Sequence, residues 1–481
     1  MERRIPAALA NAEGGLRYRV GVSAPPALSA AIGGLRSAIA AAGLPVEVVA
    51  RDERAVARPS DRLDHIFVLR EGPAAVAASD MLREIRSRFF EGRVPEYATL
   101  FRNGEAGYAA FRIPSLLMAG NRLLAFCEAR SGLASDAERN DIVLRASEDG
   151  GRTWGPLLVV ATDGDASLNN PTGIWLEEED RVLLLFQRYP PSRGERSTAK
   201  GVEGEKVCRV LLARSEDRGA TWAAPVDITR YAKSPEMSAV ASGPGRAVRA
   251  KAGPDAGRIL VPFNSSGMDA GWYDYLVASD DGGESWRILA GRSWYGANES
   301  QLVQVGEREF LVNARSHRWK GGGASSPPFW SPWLIPATDR KRSSMRVRIE
   351  GDEAIWGEPL PESALPDPLC QGSILRWSGL DGSGERSLLL FSNPANSLPL
   401  GGKAFASFRP PARVNGTVRA SYDEGASWPV ARRVYGDPFT GFQYSALERL
   451  PEDRVGLLFE CWPEIKFAGF GLEWLEAGRP R

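Results

Sequence analysis

The chain has 481 residues, too many for one ordinary domain. Its 60 basic residues are balanced by 60 acidic ones, which argues against nucleic acid as the main partner, because phosphate binding shows as a strongly basic field. Four scattered cysteines without a CxxC pair, beside only two histidines, argue against a His/Cys metal site and read as buried free thiols that leave the compartment open.

The first stretch, MERRIPAALANAEGG, has a basic start but an apolar run too brief for a signal peptide. That favours a cytoplasmic protein, with the periplasm or secretion left open should this stretch be processed. No stretch approaches the apolar length of a membrane span. RYRVGV at 17–22 then predicts a strand and ALSAAIGGLRSAIAAAG at 27–43 an Ala-rich amphipathic helix. PVEVVA at 45–50 and HIFVLR at 65–70 predict strands, and AAVAASDMLREIRSRFF at 74–90 a second helix. This β-α-β grammar predicts a small α/β domain over residues 1–94.

From residue 95 onward helical periodicity gives way to short apolar strands closed by turn residues. RVLLLF at 181–186, RILVPF at 258–263, EFLVNA at 309–314, SLLLFS at 387–392 and RVGLLF at 454–459 are examples. Four octapeptides obey one rule, S-x-D-x-G-x-[ST]-W: SEDGGRTW at 147–154, SEDRGATW at 215–222, SDDGGESW at 279–286 and SYDEGASW at 421–428. Their starts fit a period of about 70 residues with one copy missing. RIEGDEAIW at 348–356 stands where the missing copy belongs and keeps only the Trp. The Asp can accept from turn amides, the Gly can supply a positive φ, and the Trp can anchor between strands, so each octapeptide predicts a β-hairpin turn.

These turns resemble the Asp boxes of the sialidase superfamily. The resemblance implies an all-β, six-bladed β-propeller over residues 95–481, preceded by the small α/β domain, at about 64 residues a blade. Asp boxes occur on propellers of several functions, so they speak for architecture and not for activity.

Sialidase chemistry makes particular demands. The sugar carries its carboxylate on the anomeric carbon, which calls for arginines, whose planar forks bind carboxylate bidentately. A carboxylate nucleophile would be repelled there, whereas a tyrosine activated by a neighbouring carboxylate is not. A further acid must protonate the departing oxygen.

Candidates for all of these occur in the family's order. YAAFRIPSLL at 108–117 resembles the FRIP motif, which makes Arg112 the first carboxylate-binding arginine. FCEARSGLASDAERNDIVLRAS at 126–147 is similar to the next family segment. It implies Arg130 on the O4 side of the sugar, Asp136 as general acid/base with Asp141 as its rival, and Glu128 in support. NESQLVQVGEREFLVNARSH at 298–317 implies Glu299 as the base and Arg315 as the second arginine. ARVNGTVRASYDEGASW at 412–428 implies Arg413 as the third, with Arg409 and Arg419 as local competitors and Arg419 expected on the outgoing strand. GFQYSALERL at 441–450 implies Tyr444 as nucleophile, and Glu460 after it as the support of Arg112. The three arginines are expected to lower the Tyr444 pKa by stabilising its phenolate. The resemblance implies no metal and no organic cofactor, and sialylated glycans as partners.

Taken singly, an Arg is usually a solvated surface residue and a strand Tyr usually core; order and spacing carry the assignment. A lectin propeller needs the arginines but neither acid nor nucleophile, and a structural propeller needs no arginine triad. Transfer, an anhydro product or a deaminated sialic acid stay open, since they depend on loops. RWKGGGASSPPFWSPWLIPATDRKR at 318–342 reads either as an aromatic loop over the site rim or as a packed insertion. RYPPSRGERSTAKGVEGEK at 188–206 reads as a mobile loop. The N-terminal domain reads as scaffold, with carbohydrate binding or oligomerisation as alternatives.

Overall fold

The computed structural model describes residues 18–23, 46–51, 65–68, 95–132, 136–265, 272–316, 341–380, 386–396, 413–436 and 440–477. The chain divides into two compact units, Met1–Tyr97 and Ala98–Arg481. In the first, strands Val46–Arg51, Tyr18–Ser23 and His65–Val68 lie side by side in that order, all parallel. Parallel neighbours require crossover connections. The expected helices 27–43 and 74–90 lie outside the described residues.

The second unit is all-β, a propeller-like arrangement of largely antiparallel sheets. Its described strands form one nine-stranded, two five-stranded and two four-stranded sheets, where the repeat predicts six separate blades. The difference has a local cause. One meander (Ala110–Ala119, Arg122–Arg130, Asn140–Ser147, Leu158–Ala161) joins the next (Ser167–Leu176, Arg181–Tyr189, Arg209–Ser215, Val226–Asp227) where Asn140 pairs with Ser167. The Asn140 side-chain amide reinforces that seam, donating to Ser167 Oγ at 2.8 Å and Asn169 Oδ1 at 3.2 Å.

The first strands of successive meanders touch in a closed series. Ala110–Ala119 meets Ser167–Leu176, then come Val240–Ser242, Ala297–Gln304, Ser373–Ser378 and Ser445–Leu450, which returns to Ala110–Ala119. The sheet of Ser445–Leu450, Arg454–Cys461 and Glu464–Gly471 takes its outermost strand, Glu96–Arg102, from the other end of the unit.

Central strands are packed on both faces, which is why they read as unbroken apolar runs. In Arg181–Tyr189, Leu183 and Leu185 face one buried cluster while Val182, Leu184 and Phe186 face another. The four cysteines are buried and free. Residues 190–206 run as successive turns with a bridge between Ala199 and Val207. Among the described residues no helix is long and apolar enough to cross a membrane.

Each octapeptide is a hairpin turn closed by its own side chains. Asp149 Oδ1 accepts the amides of Arg152 at 3.0 Å and Thr153 at 2.8 Å, its Oδ2 accepts the Thr153 hydroxyl at 2.6 Å, and Ser147 Oγ accepts the Gly151 amide at 2.8 Å. Asp217, Asp281 and Asp423 hold the same hydroxyl at the same separation or 0.1 Å less, 2.6, 2.5 and 2.6 Å. The glycine is required twice over. Gly151 has φ +88°, and a Cβ there would lie 2.4 Å from the Phe467 ring of the neighbouring sheet. Trp154 lies edge-on to the same ring, centroids 5.2 Å apart. The turns therefore lock sheet to sheet. The degenerate copy is also a hairpin, Lys341–Glu350 into Glu353–Trp356.

Candidate active site

Antiparallel pairing decides which ends of the strands meet. Arg112 lies opposite Glu128 and Ala129 opposite Asp141, at one end of the first three strands, whereas Ser147 and the turn it opens lie at the other. The octapeptides and the sequence-predicted site residues thus occupy opposite ends of the strands.

At the site end, the structure gathers Arg112, Arg315, Arg413 and Glu299 around Tyr444. The Tyr444 hydroxyl donates to Glu299 Oε1. Arg315 Nη1 donates both to Glu299 Oε2 at 2.8 Å and to the Tyr444 oxygen at 3.2 Å. The guanidinium carbons of Arg112 and Arg413 stand 5.3 and 5.7 Å from the Tyr444 ring centre. Arg413 Nη2 donates to the Leu369 carbonyl at 2.6 Å, and among the described residues no carboxylate pairs with it, so its charge is left for an anionic ligand.

Two wholly buried carboxylates set the arginines. Glu460 accepts Arg112 Nη2 at 3.2 Å on one oxygen and the Ile113 amide at 2.7 Å on the other. Ile113 has φ +57°, a conformation costing a β-branched residue about 1–3 kcal/mol. The charge-assisted bond from its own amide offsets that strain. Glu128 accepts Arg130 Nε at 2.9 Å and Nη2 at 2.5 Å, and takes the Asn170 amide at 2.9 Å. Arg130 then offers Nη1 to Asp136 Oδ1 at 2.7 Å. The Asp136 side chain is 66% exposed, and the backbone carbonyl of the same residue accepts Ser167 Oγ at 2.7 Å.

The electrostatics correct one expectation. Burial first, then the Glu299 carboxylate, push the Tyr444 hydroxyl well above its ordinary pKa of 10.0, and Arg315, Arg413 and Arg112 pull it down without prevailing. The arginines act with the expected sign but lose to desolvation, a quantity no sequence displays. Asp136 shifts the other way. Partial desolvation raises it, yet Arg130 and Arg112 hold it below the usual carboxylate range.

The rival acid Asp141 is buried and engaged, accepting the Tyr108 hydroxyl at 2.7 Å and Arg139 Nη2 at 2.9 Å. Burial and then Asp141 push the Tyr108 hydroxyl up to about 12. Arg419 sits on the strand Gly416–Ser421 and donates to Asn393 Oδ1 at 2.9 Å, its pKa pushed down to about 10 by burial. Arg409 and the tryptophan-rich stretch lie outside the described residues, except Lys341 and Arg342, which open a strand. Sequence reasoning missed Asn170, Leu369 and Cys370. Asn170 supplies an amide, Leu369 a carbonyl, and Cys370 packs with Ile113 and Tyr444, none of which leaves a motif.

Residues 121–326 match the family described as the BNR repeat-like domain. The chain is 27% identical over 384 residues to a sialidase of Micromonospora viridifaciens, covering 78% of this chain and 53% of that protein. It is 25% identical over 373 residues to a sialidase of Bacteroides fragilis, covering 74% of this chain and 61% of that protein. The chain thus spans little more than half the length of these relatives. Among solved structures, a Hadza microbial sialidase superimposes with a TM-score of 0.66 at 23% identity, over 79% of this chain and 69% of that one.

Proposed function

The chain belongs to the sialidase superfamily, and from that premise we propose that it is an exo-α-sialidase, hydrolysing terminal α-linked sialic acid with retention through a tyrosyl intermediate. In this reading residues 95–481 are the catalytic domain and residues 1–94 a separate small α/β domain. Counting the two fused meanders as separate blades gives six, and the closed series of first strands supports that count.

The observation that carries the reading is the Tyr444–Glu299 hydrogen bond inside a cage of three arginines, with Asp136 held on Arg130. Arg112, Arg315 and Arg413 clamp the substrate carboxylate, and Arg130 faces the O4 side of the sugar. Asp136 gives its proton to the glycosidic oxygen as the C2–O bond breaks. The Tyr444 oxygen bonds to C2 on the opposite face and its proton passes to Glu299. Asp136, now ionised, takes a proton from water, whose oxygen attacks C2, and Tyr444 departs with the proton returned from Glu299. Two displacements give net retention.

Burial and Glu299 favour the protonated form of Tyr444, and Arg130 and Arg112 favour the ionised form of Asp136, each the unreactive form. The arriving carboxylate neutralises part of the arginine charge. That raises Asp136 towards the protonated state the first step needs, and raises Tyr444 further. Glu299 must therefore remove the phenolic proton as the bond forms, and no standing phenolate is needed.

The test is release of 4-methylumbelliferone from its α-N-acetylneuraminic acid conjugate by wild type, Tyr444→Phe and Asp136→Ala, with the first-formed anomer followed by NMR. Wild-type release of the α-anomer, lost in Tyr444→Phe, supports the reading. Full activity in Tyr444→Phe refutes the nucleophile. Binding of sialosides without turnover by wild type refutes the enzyme in favour of a glycan-binding propeller.

A further inference from the structure

The base lies on one strand and the nucleophile immediately precedes a strand of another sheet, yet their hydrogen bond tolerates little error, since a misplacement of about 1 Å can cost about 100-fold in rate. Beneath them both strands are tied to a single backbone oxygen. Gln301, two residues after Glu299, donates Nε2 to the Pro244 carbonyl at 2.6 Å. Gln371 donates Nε2 to the same carbonyl at 3.2 Å. Its amide also pairs in both directions with Ser445, the residue after Tyr444: Oε1 accepts the Ser445 amide and Nε2 donates to the Ser445 carbonyl, each at 3.0 Å. Both glutamines are buried, at 1% exposure.

Further contacts leave this junction little freedom. Gln301 Oε1 accepts Ser373 Oγ and the Ile374 amide, both at 3.1 Å, and Ser373 Oγ accepts the Leu447 amide at 3.0 Å. The segment carrying Pro244 presses closely on the strand of the base. A Cβ on Gly243 would lie 1.6 Å from the Ser300 carbonyl oxygen, and one on Gly245, whose φ is +124°, 2.0 Å from Gln301 Nε2. Ser115, on the strand of Arg112, donates to the Gly245 carbonyl at 2.5 Å.

We propose that the clamp of Gln301 and Gln371 on the Pro244 carbonyl fixes the spacing between the Tyr444 hydroxyl and the Glu299 carboxylate, which makes both glutamines positioning residues of the reaction. This rests on the sialidase reading above. Two of the three clamping arginines are anchored elsewhere, Arg112 on Glu460 and Arg413 on Leu369, while Arg315 is held by Glu299 itself, so loosening the junction disturbs proton transfer and bond formation more than substrate capture.

The test uses the full chain and the aryl α-sialoside. Gln371→Met removes all three side-chain hydrogen bonds while keeping an unbranched side chain of similar length. The control is Gln304→Met. Gln304 is likewise buried, on the strand of Glu299 and Gln301, but it binds the Lys251 amide at 2.7 Å and the Ala252 carbonyl at 2.8 Å, away from the junction. The expected result is a kcat about 10- to 100-fold lower in Gln371→Met, with KM and the Ki of 2,3-didehydro-N-acetylneuraminic acid within about 2-fold. Gln304→Met is expected to lower the Tm comparably and leave kcat unchanged. Wild-type kcat in folded Gln371→Met overturns the proposal, as does an equal kcat loss in Gln304→Met. Should Gln371→Met not fold, Gln301→Met breaks the clamp from the side of the base, and unchanged kcat there overturns it. A wild type that turns over no α-sialoside overturns the underlying reading, and this inference with it.

Discussion

The octapeptide turns and the arginine-lined site use carboxylate acceptors to opposite ends. In each turn an Asp carboxylate takes the amide and the hydroxyl of the residue four positions on, and the set is closed within eight residues. At the site, partners come from across the chain: Glu460 holds Arg112, Glu299 holds Tyr444, and Arg315 reaches both. The turns leave their carboxylates satisfied. At the site, among the described residues, Arg413 has no carboxylate partner, and burial with Glu299 raises the Tyr444 hydroxyl well above its ordinary pKa. Local, satisfied networks make the frame, and non-local ones make the proposed active site.

Substitutions sharpen that contrast, beginning at the site. Tyr444→Phe is expected to lower kcat by at least about 1,000-fold, a loss of about 4 kcal/mol of transition-state stabilisation, with Tm little changed. A variant within tenfold of wild type would break the contrast at its centre. Asp136→Asn is expected to lower kcat by about 100- to 10,000-fold on a natural sialoside, and much less on an aryl sialoside whose leaving group needs no proton. Equal losses on both substrates would remove Asp136 as the acid.

A pH profile tests the coupling between Arg130 and Asp136. The general acid must be protonated, and the cations hold its pKa low, so kcat/KM is expected to fall about tenfold per pH unit above an acidic midpoint. Replacing the buried pair together, Glu128→Gln with Arg130→Met, removes the nearest cation without stranding a charge. The alkaline limb is expected to move up by about one pH unit. Movement downward would contradict the arrangement. The smallest effect belongs to the turns. Asp281→Ala is expected to cost about 1 kcal/mol of stability, read as a lower Tm, and to leave kcat/KM unchanged.

The same division governs what could be read from the sequence. The turns were legible because every partner of Asp149 lies within four residues. Strands such as Arg181–Tyr189 were legible as apolar runs because both faces are buried. Arg112, Asp136, Glu299, Arg315, Arg413 and Tyr444 were nameable only through resemblance, since no local pattern links residues from separate sheets. Three features had no signal at all. The fusion of two meanders turns on one Asn140–Ser167 pairing. The sign of the Tyr444 shift turns on burial. Gln301 and Gln371 read as ordinary polar residues until their shared carbonyl is seen.

The most direct test of the central claim is mass spectrometry of the protein after a short exposure to a 2,3-difluorosialosyl fluoride, which slows release of a covalent sialosyl adduct. The account predicts a stoichiometric mass increase that maps to the peptide holding Tyr444 and is absent from Tyr444→Phe. Turnover with no adduct, or an adduct on Glu299 or Asp136, would contradict it.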